Sequence, residues 1–245
     1  MAGDQGTVTM AAASGPRSRF MNDHPANAPG QIQHASGARF ADLIESEDAL
    51  RAIIGRPSQM LIDKQLDHLD AHARHFIERS PFLVIGSAGA DFVGDASPRG
   101  DAPGFVKVLD DRTLAIPDRP GNRRADTLLN ILATKGIGLL FIIPGIEETL
   151  RVNGRACLAR DSAILETMVV QGKPPLLVIG VAVAECYFQC AKAFKRSKLW
   201  QPEGWPGRDG VASLAQILVD QTKPAGTSVE ELDAMIAESY AKRLY

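Results

Sequence analysis

Arginines in residues 97–156 have a spacing that suits the binding of a phosphate group. Arg119, Arg123 and Arg124 flank the turn Pro120-Gly121-Asn122, and a helical pattern begins directly after it. Arginine binds phosphate oxygens through paired hydrogen bonds, and the first turn of a helix presents free backbone amides. The alternative is a solvated basic helix start, but cations there oppose the helix dipole. The turn therefore predicts a phosphate site.

Two further arginines lie near this turn in the sequence. Arg99 stands in Ser97-Pro98-Arg99-Gly100-Asp101, between two predicted strands, where proline and glycine also fit a plain turn. Arg151 opens a later strand, where it reaches either the same ligand or an acidic neighbour. Together with the turn, these positions predict an anion-binding cleft.

Composition indicates an ordinary globular protein. The chain has 245 residues, 45% of them hydrophobic and 23% charged, and a formal net charge of −2. Such a charge gives no general attraction to nucleic acid or to membranes, so anion binding must be local. No apolar run approaches the roughly 20 residues of a membrane helix, and no secretory signal is evident. Three scattered cysteines predict reduced thiols and a cytoplasmic location.

Histidines offer a competing hypothesis. His68, His72 and His75 share one face of a helix predicted over residues 64–79, and such spacing can bind zinc or haem iron. Carboxylates intermix with them and no HExxH motif is present, which favours a polar helix surface. We therefore predict no metal site.

The chain is expected to divide into three parts. Residues 1–38 are rich in Ala, Gly, Pro and Ser and predict a disordered arm. Residues 39–205 contain the apolar runs and predict the main domain, and residues 206–245 predict a helical C-terminal extension.

Short apolar runs punctuated by Gly, Pro and Asp predict strands. The predicted strands cover residues 82–86, 91–95, 105–109, 113–116, 137–143, 149–158 and 176–185. Asn122 or Asp126 is expected to cap a helix that ends near Thr134, Asp161 to begin a short helix, and Ser228 to open the last helix through a capping box. No repeated βαβ unit is visible, so an α+β, mainly β barrel is predicted.

Several motifs in this order resemble one protein family. SPRGD, PGFV, TLAIPDRPGNRR, LLNIL, GLLFIIPG, TLRVNGRA and CAKAFKRSKLW follow one another between about residues 40 and 205. The order resembles the pyridoxamine 5′-phosphate oxidase-like flavoproteins, in particular a bacterial branch related to the authentic oxidase. The resemblance implies an FMN-binding split β-barrel with peripheral helices and a homodimer with two FMN sites at the subunit interface.

The resemblance also implies which residues hold FMN. Those expected along one half of the site, near the ring, the ribityl chain and the phosphate, are Arg99, Gly100, Ile116, Pro117, Asn122, Arg123 and Arg124. Those expected to close the pocket or to reach the partner's flavin are Thr149, Arg151, Lys192, Ser197, Lys198 and Trp200. Packing is the alternative role for Trp200, and no catalytic side chain is assigned.

Three departures separate this chain from authentic pyridoxamine-phosphate oxidases and the related branch. The turn has Gly121-Asn122-Arg123 in place of Ser-Arg-Lys, and no Arg-x-His motif occurs near the end. Gln189 stands before Cys190, where the related branch has histidine. The prediction is therefore an FMN-dependent oxidoreductase acting on an unidentified small molecule, without nucleic-acid or membrane partners. The alternatives are a non-catalytic flavin-binding protein for storage or redox sensing, and a split barrel that uses deazaflavin or haem.

Overall fold

A computed structural model describes residues 43–223 and 226–245, which contain seven strands and eight α-helices. The predicted disordered arm, residues 1–38, lies outside the described residues. The helices are α1 (Glu47–Ile54), α2 (Gln59–Asp63), α3 (Ala71–Arg79), α4 (Asp126–Thr134), α5 (Ser162–Glu166), α6 (Lys192–Ser197), α7 (Leu214–Thr222) and α8 (Val229–Lys242). Helix α1 belongs to the unit formed by residues 1–56, and all other elements belong to residues 57–245.

The strands form one antiparallel sheet. They are β1 (Phe82–Ala88), β2 (Gly94–Gly100), β3 (Lys107–Val108), β4 (Thr113–Asp118), β5 (Gly136–Ile142), β6 (Thr149–Ala159) and β7 (Leu177–Gln189). Their order is β2-β1-β5-β6-β7-β4-β3, so β2 and β3 are the edges of the sheet. The predicted α+β, mainly β fold, a split barrel with peripheral helices, is confirmed.

One face of the sheet forms the core. Leu83 and Ile85 of β1 lie opposite Phe141 and Leu139 of β5, and all four are buried. Removing each such side chain from water stabilises the fold by about 1.5–3 kcal/mol. Ile77 of α3 belongs to the same cluster, so this helix covers the inner face.

Strand β2 differs from its prediction. The sequence predicts a strand over residues 91–95 and places residues 97–101 between two strands, whereas β2 runs from Gly94 to Gly100. Pro98 fits because β2 is an edge strand, where a missing backbone donor leaves no ladder bond unmade. Arg99 is therefore held by strand pairing, opposite Leu83.

The predicted helix over residues 64–79 is wrong at its start. Leu66 exchanges two backbone hydrogen bonds with Cys186 of β7, at 2.9 and 2.7 Å, which holds this segment against the sheet. Asp70 then caps α3 by accepting a hydrogen bond from the Ala73 amide at 2.8 Å. His68 consequently lies outside the helix. Across the described residues, no group of three or more His, Cys, Asp or Glu side chains converges as metal ligands.

Two predicted helix starts are confirmed. The Asp161 side chain accepts hydrogen bonds from the first turn of α5, and Ser228 and Glu231 form a capping box at the start of α8. Of the helices described, none has the length and apolar character needed to cross a membrane.

Candidate functional site

A cleft of about 1310 Å³ lies between β2 and the segment that joins β4 to α4. We call it the arginine cleft; it is lined mainly by residues 97–100, residues 117–128, Ser239, Tyr240 and residues 243–245. On its β3 side, β4 is paired only at Leu114 and Ala115. Each wall of the cleft therefore includes part of a strand edge that is not paired with another strand.

The turn between β4 and α4 has an unusual backbone. Arg123 and Ala125 have φ angles of 63° and 60°, in the left-handed region that non-glycine residues rarely adopt. The Asn122 side chain accepts a hydrogen bond from the Arg124 amide at 3.0 Å, which stabilises the turn. Strained residues of this kind concentrate at ligand-binding sites, where the surrounding structure holds them.

Helix α4 begins without a side-chain cap. Ala125 occupies the N-cap position, so the prediction that Asn122 or Asp126 caps this helix is wrong. Arg123 and Ala125, both left-handed, separate Asn122 from the helix. The Asn122 side chain accepts a hydrogen bond from the Arg124 amide instead. The first-turn amides of α4 thus remain free of a side-chain acceptor at the cleft, where an anion is favourable.

The arginines of the turn differ in their partners. Arg124 pairs with Asp126 at 2.9 Å, and this hydrogen bond raises the pKa of the guanidinium. Arg119 pairs with Asp101 at 2.8 Å. In the part of the chain that the structure describes, Arg123 makes no hydrogen bond or ion pair. Its charge is available to a ligand.

The opposite wall carries Arg99 and faces a carboxylate. The Arg99 guanidinium donates hydrogen bonds to the Ser97 hydroxyl and to the Pro98 carbonyl. Burial raises the pKa of Asp118, an effect that the positive charge of Arg99 partly offsets. Asp118 thus places a carboxyl group close to Arg99 in the cleft.

Residues near the end of the chain complete the cleft, and sequence reasoning missed them. The Tyr245 hydroxyl donates a hydrogen bond to Asp101 at 2.8 Å, and the Arg119 guanidinium lies 5.5 Å from the centre of the Tyr245 ring. Tyr245 and Asp101 are 144 positions apart, and no local pattern links them.

The cleft brings together six of the thirteen predicted cofactor residues: Arg99, Gly100, Pro117, Asn122, Arg123 and Arg124. Ile116 precedes this wall in β4, with its side chain fully buried in the core. Its side chain is therefore not available to a ligand.

The other six predicted residues do not line the cleft. They lie where β6 begins and where the chain continues from β7 into α6, a region we call the β6–α6 surface: Thr149, Arg151, Lys192, Ser197, Lys198 and Trp200. Arg151 donates a hydrogen bond to the Tyr187 hydroxyl at 2.8 Å. The Trp200 indole donates to the Ile146 carbonyl at 2.9 Å and stacks on Phe194 at 5.7 Å. Tyr187 is a second residue that the sequence analysis did not identify.

Comparison with known families gives one match to this region of the chain. Residues 69–190 match the sequence model of the family described as pyridoxamine 5′-phosphate oxidase. The match contains the sheet, the turn and α4. No curated protein matches the chain.

Solved structures of similar proteins each cover about half of this chain. A HupZ variant from Group A Streptococcus has 16% identity and a TM-score of 0.41, with 49% of this chain and 99% of that chain covered. A putative pyridoxamine 5′-phosphate oxidase from Lactobacillus delbrueckii has 16% identity and a TM-score of 0.41, with 51% and 98% covered. An FMN-binding protein from Syntrophomonas wolfei has 9% identity and a TM-score of 0.37, with 48% and 88% covered.

Proposed function

The chain belongs to the pyridoxamine 5′-phosphate oxidase-like family of flavin-binding proteins, and from this premise we propose that it is an FMN-dependent oxidoreductase. The observation that carries the proposal is Arg123, which has no partner among the described residues, beside the uncapped start of α4 in the arginine cleft. This arrangement lies within the residues that match the family.

The phosphate of FMN fits the turn on chemical grounds. Arg123 supplies a guanidinium that no described residue binds, and the first turn of α4 supplies backbone donors and the positive end of a helix dipole. A dianionic phosphate would satisfy both. Arg124 contributes less, because its charge is already paired with Asp126.

The rest of the cleft suits the ring and the ribityl chain. Arg99 and Gly100 line one wall, and the backbone of Ile116 and Pro117 lies at the other. At about 1310 Å³ the cleft exceeds the roughly 300–1,000 Å³ of most small-molecule sites. The additional volume leaves room for a substrate beside the cofactor.

We propose that a homodimer completes each site, with the β6–α6 surface of the partner subunit facing the arginine cleft. The outer face of the sheet supports this arrangement. Phe82 is 37% exposed there, and the half-buried Leu140 lies directly opposite Arg151 in the pairing of β5 with β6. An apolar face next to hydrogen-bonding side chains is typical of a subunit interface.

Bound FMN would supply the hydride or electron transfer. The protein's residues hold the phosphate, position the ring against the substrate and set the local charge. Arg99 places positive charge at one wall, which stabilises negative charge on a ligand there.

Ligand titration tests the proposal. The purified full-length chain should be yellow or should take up FMN, and riboflavin should bind on the order of 100-fold more weakly because it lacks the phosphate. Failure to bind FMN under reconstitution would overturn the proposal. Preferential binding of a deazaflavin or haem in the same titration would replace FMN with that cofactor.

A turnover assay distinguishes an enzyme from a storage or sensing protein. FMN-loaded protein is mixed with NADH or NADPH and then with oxygen, and the flavin absorbance is followed. Repeated reduction and reoxidation is the expected result. Stable FMN binding without turnover against a panel of donors would favour the non-catalytic alternative.

A further inference from the structure

We infer that Tyr245 is a positioning residue of the arginine cleft: through Asp101 and Arg119 it holds the two walls at the separation that binds a phosphate-bearing ligand. The inference rests on the proposed function and extends it to a part of the chain outside the family match, which ends at residue 190.

Asp101 and Arg119 connect the walls directly. Asp101 follows the last residue of β2, and Arg119 follows the last residue of β4. Their side chains form an ion pair at 2.8 Å and are only 2% and 15% exposed. An ion pair so shielded from water is held in one geometry more firmly than a surface pair.

The connection matters because these strands share no ladder. In the order of the sheet, β2 is the first strand and β4 the sixth, and neither is paired with the other. Backbone hydrogen bonds therefore do not fix the distance between them. The Asp101–Arg119 pair provides a polar link across this gap, at the ends of both strands.

Tyr245 holds that pair from a third element. Its hydroxyl donates to Oδ1 of Asp101, whereas Arg119 binds Oδ2 of the same carboxylate. The Tyr245 ring faces the Arg119 guanidinium at 5.5 Å. Lys173 donates to the Tyr245 carbonyl at 3.0 Å and so anchors the residue itself. One aromatic side chain thus contacts both members of the pair.

The experiment measures FMN affinity and wall mobility in parallel. Tyr245→Phe removes only the hydroxyl, and Tyr245→Ala also removes the ring. We expect FMN binding to weaken about threefold and about tenfold, respectively, by fluorescence titration. Lys242→Ala is the control, because Lys242 lies in the same segment but pairs with Glu238 of its own helix. It should leave the affinity unchanged.

A double variant tests whether Tyr245 acts through Asp101. If it does, Tyr245→Phe combined with Asp101→Ala binds FMN no more weakly than Asp101→Ala alone, because the hydroxyl then has no acceptor at position 101. Additive losses would overturn the inference, since they would show that Tyr245 acts independently of the pair.

Hydrogen exchange in the ligand-free protein separates this inference from the proposed function. Tyr245→Ala should accelerate amide exchange in residues 98–101 and 117–123 together, and Lys242→Ala should not. Unchanged exchange in both walls would overturn the inference even if FMN binds. If the wild-type chain fails to bind FMN, faster exchange in both walls still supports the positioning role, while the proposed function fails.

Discussion

The arginine cleft and the β6–α6 surface each carry a predicted cofactor arginine, Arg123 and Arg151, and the two differ in their hydrogen-bond partners. In the cleft, Arg123 has no partner among the described residues and lies on a left-handed backbone. On the β6–α6 surface, Arg151 is bonded to Tyr187, and the Trp200 indole is bonded to the Ile146 carbonyl.

This difference separates two kinds of binding region. A free charge, an uncapped helix and a strained turn together lower the stability of the isolated chain, and a bound anion would relieve them. On the β6–α6 surface, the hydrogen bonds of Arg151 and Trp200 hold these side chains in place without a ligand. We therefore assign the main phosphate affinity to the cleft and a shaping role to the β6–α6 surface.

The largest effect is expected from a glycine in β6. A Cβ atom at Gly154 would lie 2.0 Å from the carbonyl oxygen of Ala182, at the point where the pairing of β6 with β7 shifts register. Because that contact is with backbone, Gly154→Ala should lower the free energy of unfolding by about 3 kcal/mol.

The matched control lies in the turn of the cleft. A Cβ at Gly121 meets no atom within 4 Å, so Gly121→Ala should change stability by less than about 0.5 kcal/mol. Denaturant unfolding of both variants measures the difference. Equal losses of unfolding free energy would show that the turn is packed as tightly as β6. That result would contradict the difference between the two regions.

The next effect distinguishes the two arginines of the turn. Arg123→Ala should weaken FMN binding about 100-fold, because it removes a charge that has no other partner in the described chain. Arg124→Ala should weaken it only about threefold, since Asp126 already neutralises that guanidinium. FMN titration of both variants, with their thermal unfolding as a check on folding, decides the order. A larger loss for Arg124→Ala would refute our assignment.

Local patterns predicted much of this arrangement because the signals lie close together in the sequence. Short apolar runs identified β1 and β5, and the Ser228–Glu231 spacing identified the start of α8. The motif around Arg123 placed the candidate phosphate turn at the cleft.

Contacts between distant residues explain what the sequence did not predict. The bonds of Leu66 to Cys186 shorten α3, and the edge position of β2 allows Pro98 within a strand. The contact of Tyr245 with Asp101 spans 144 positions. The roles of the thirteen cofactor residues stay a prediction.

A smaller signal comes from mixing two defective variants. If each site combines the cleft of one subunit with the β6–α6 surface of its partner, a mixed dimer of Arg123→Ala and Arg151→Ala contains one intact site. Random mixing would then restore about a quarter of all sites. Flavin stoichiometry after subunit exchange measures this fraction. If the subunits are shown to exchange but no flavin sites are restored, the two regions do not share a site.

The smallest effect concerns the Asp101–Arg119 ion pair and the response of its contribution to stability to pH. Burial alone would raise the pKa of Asp101, but hydrogen bonds from the Ala102 amide, Tyr245 and Arg119 outweigh it and lower the pKa below the ordinary 3.8. A carboxylate with a lowered pKa stabilises the folded state above its unfolded pKa, and this contribution disappears as the pH falls through the folded value.

Asp101→Asn should therefore reduce the free energy of unfolding by about 2 kcal/mol at pH 7, and the gap to wild type should narrow below about pH 4. Denaturant unfolding between pH 7 and pH 3 measures the gap. Asp209→Asn, at an exposed position, is the control and should show almost no gap at any pH. A gap for Asp101→Asn that stays constant down to pH 3 would mean that the loss comes from packing and not from the charge. The walls of the cleft would then be joined by packing and neutral hydrogen bonds, and not by the charge of Asp101.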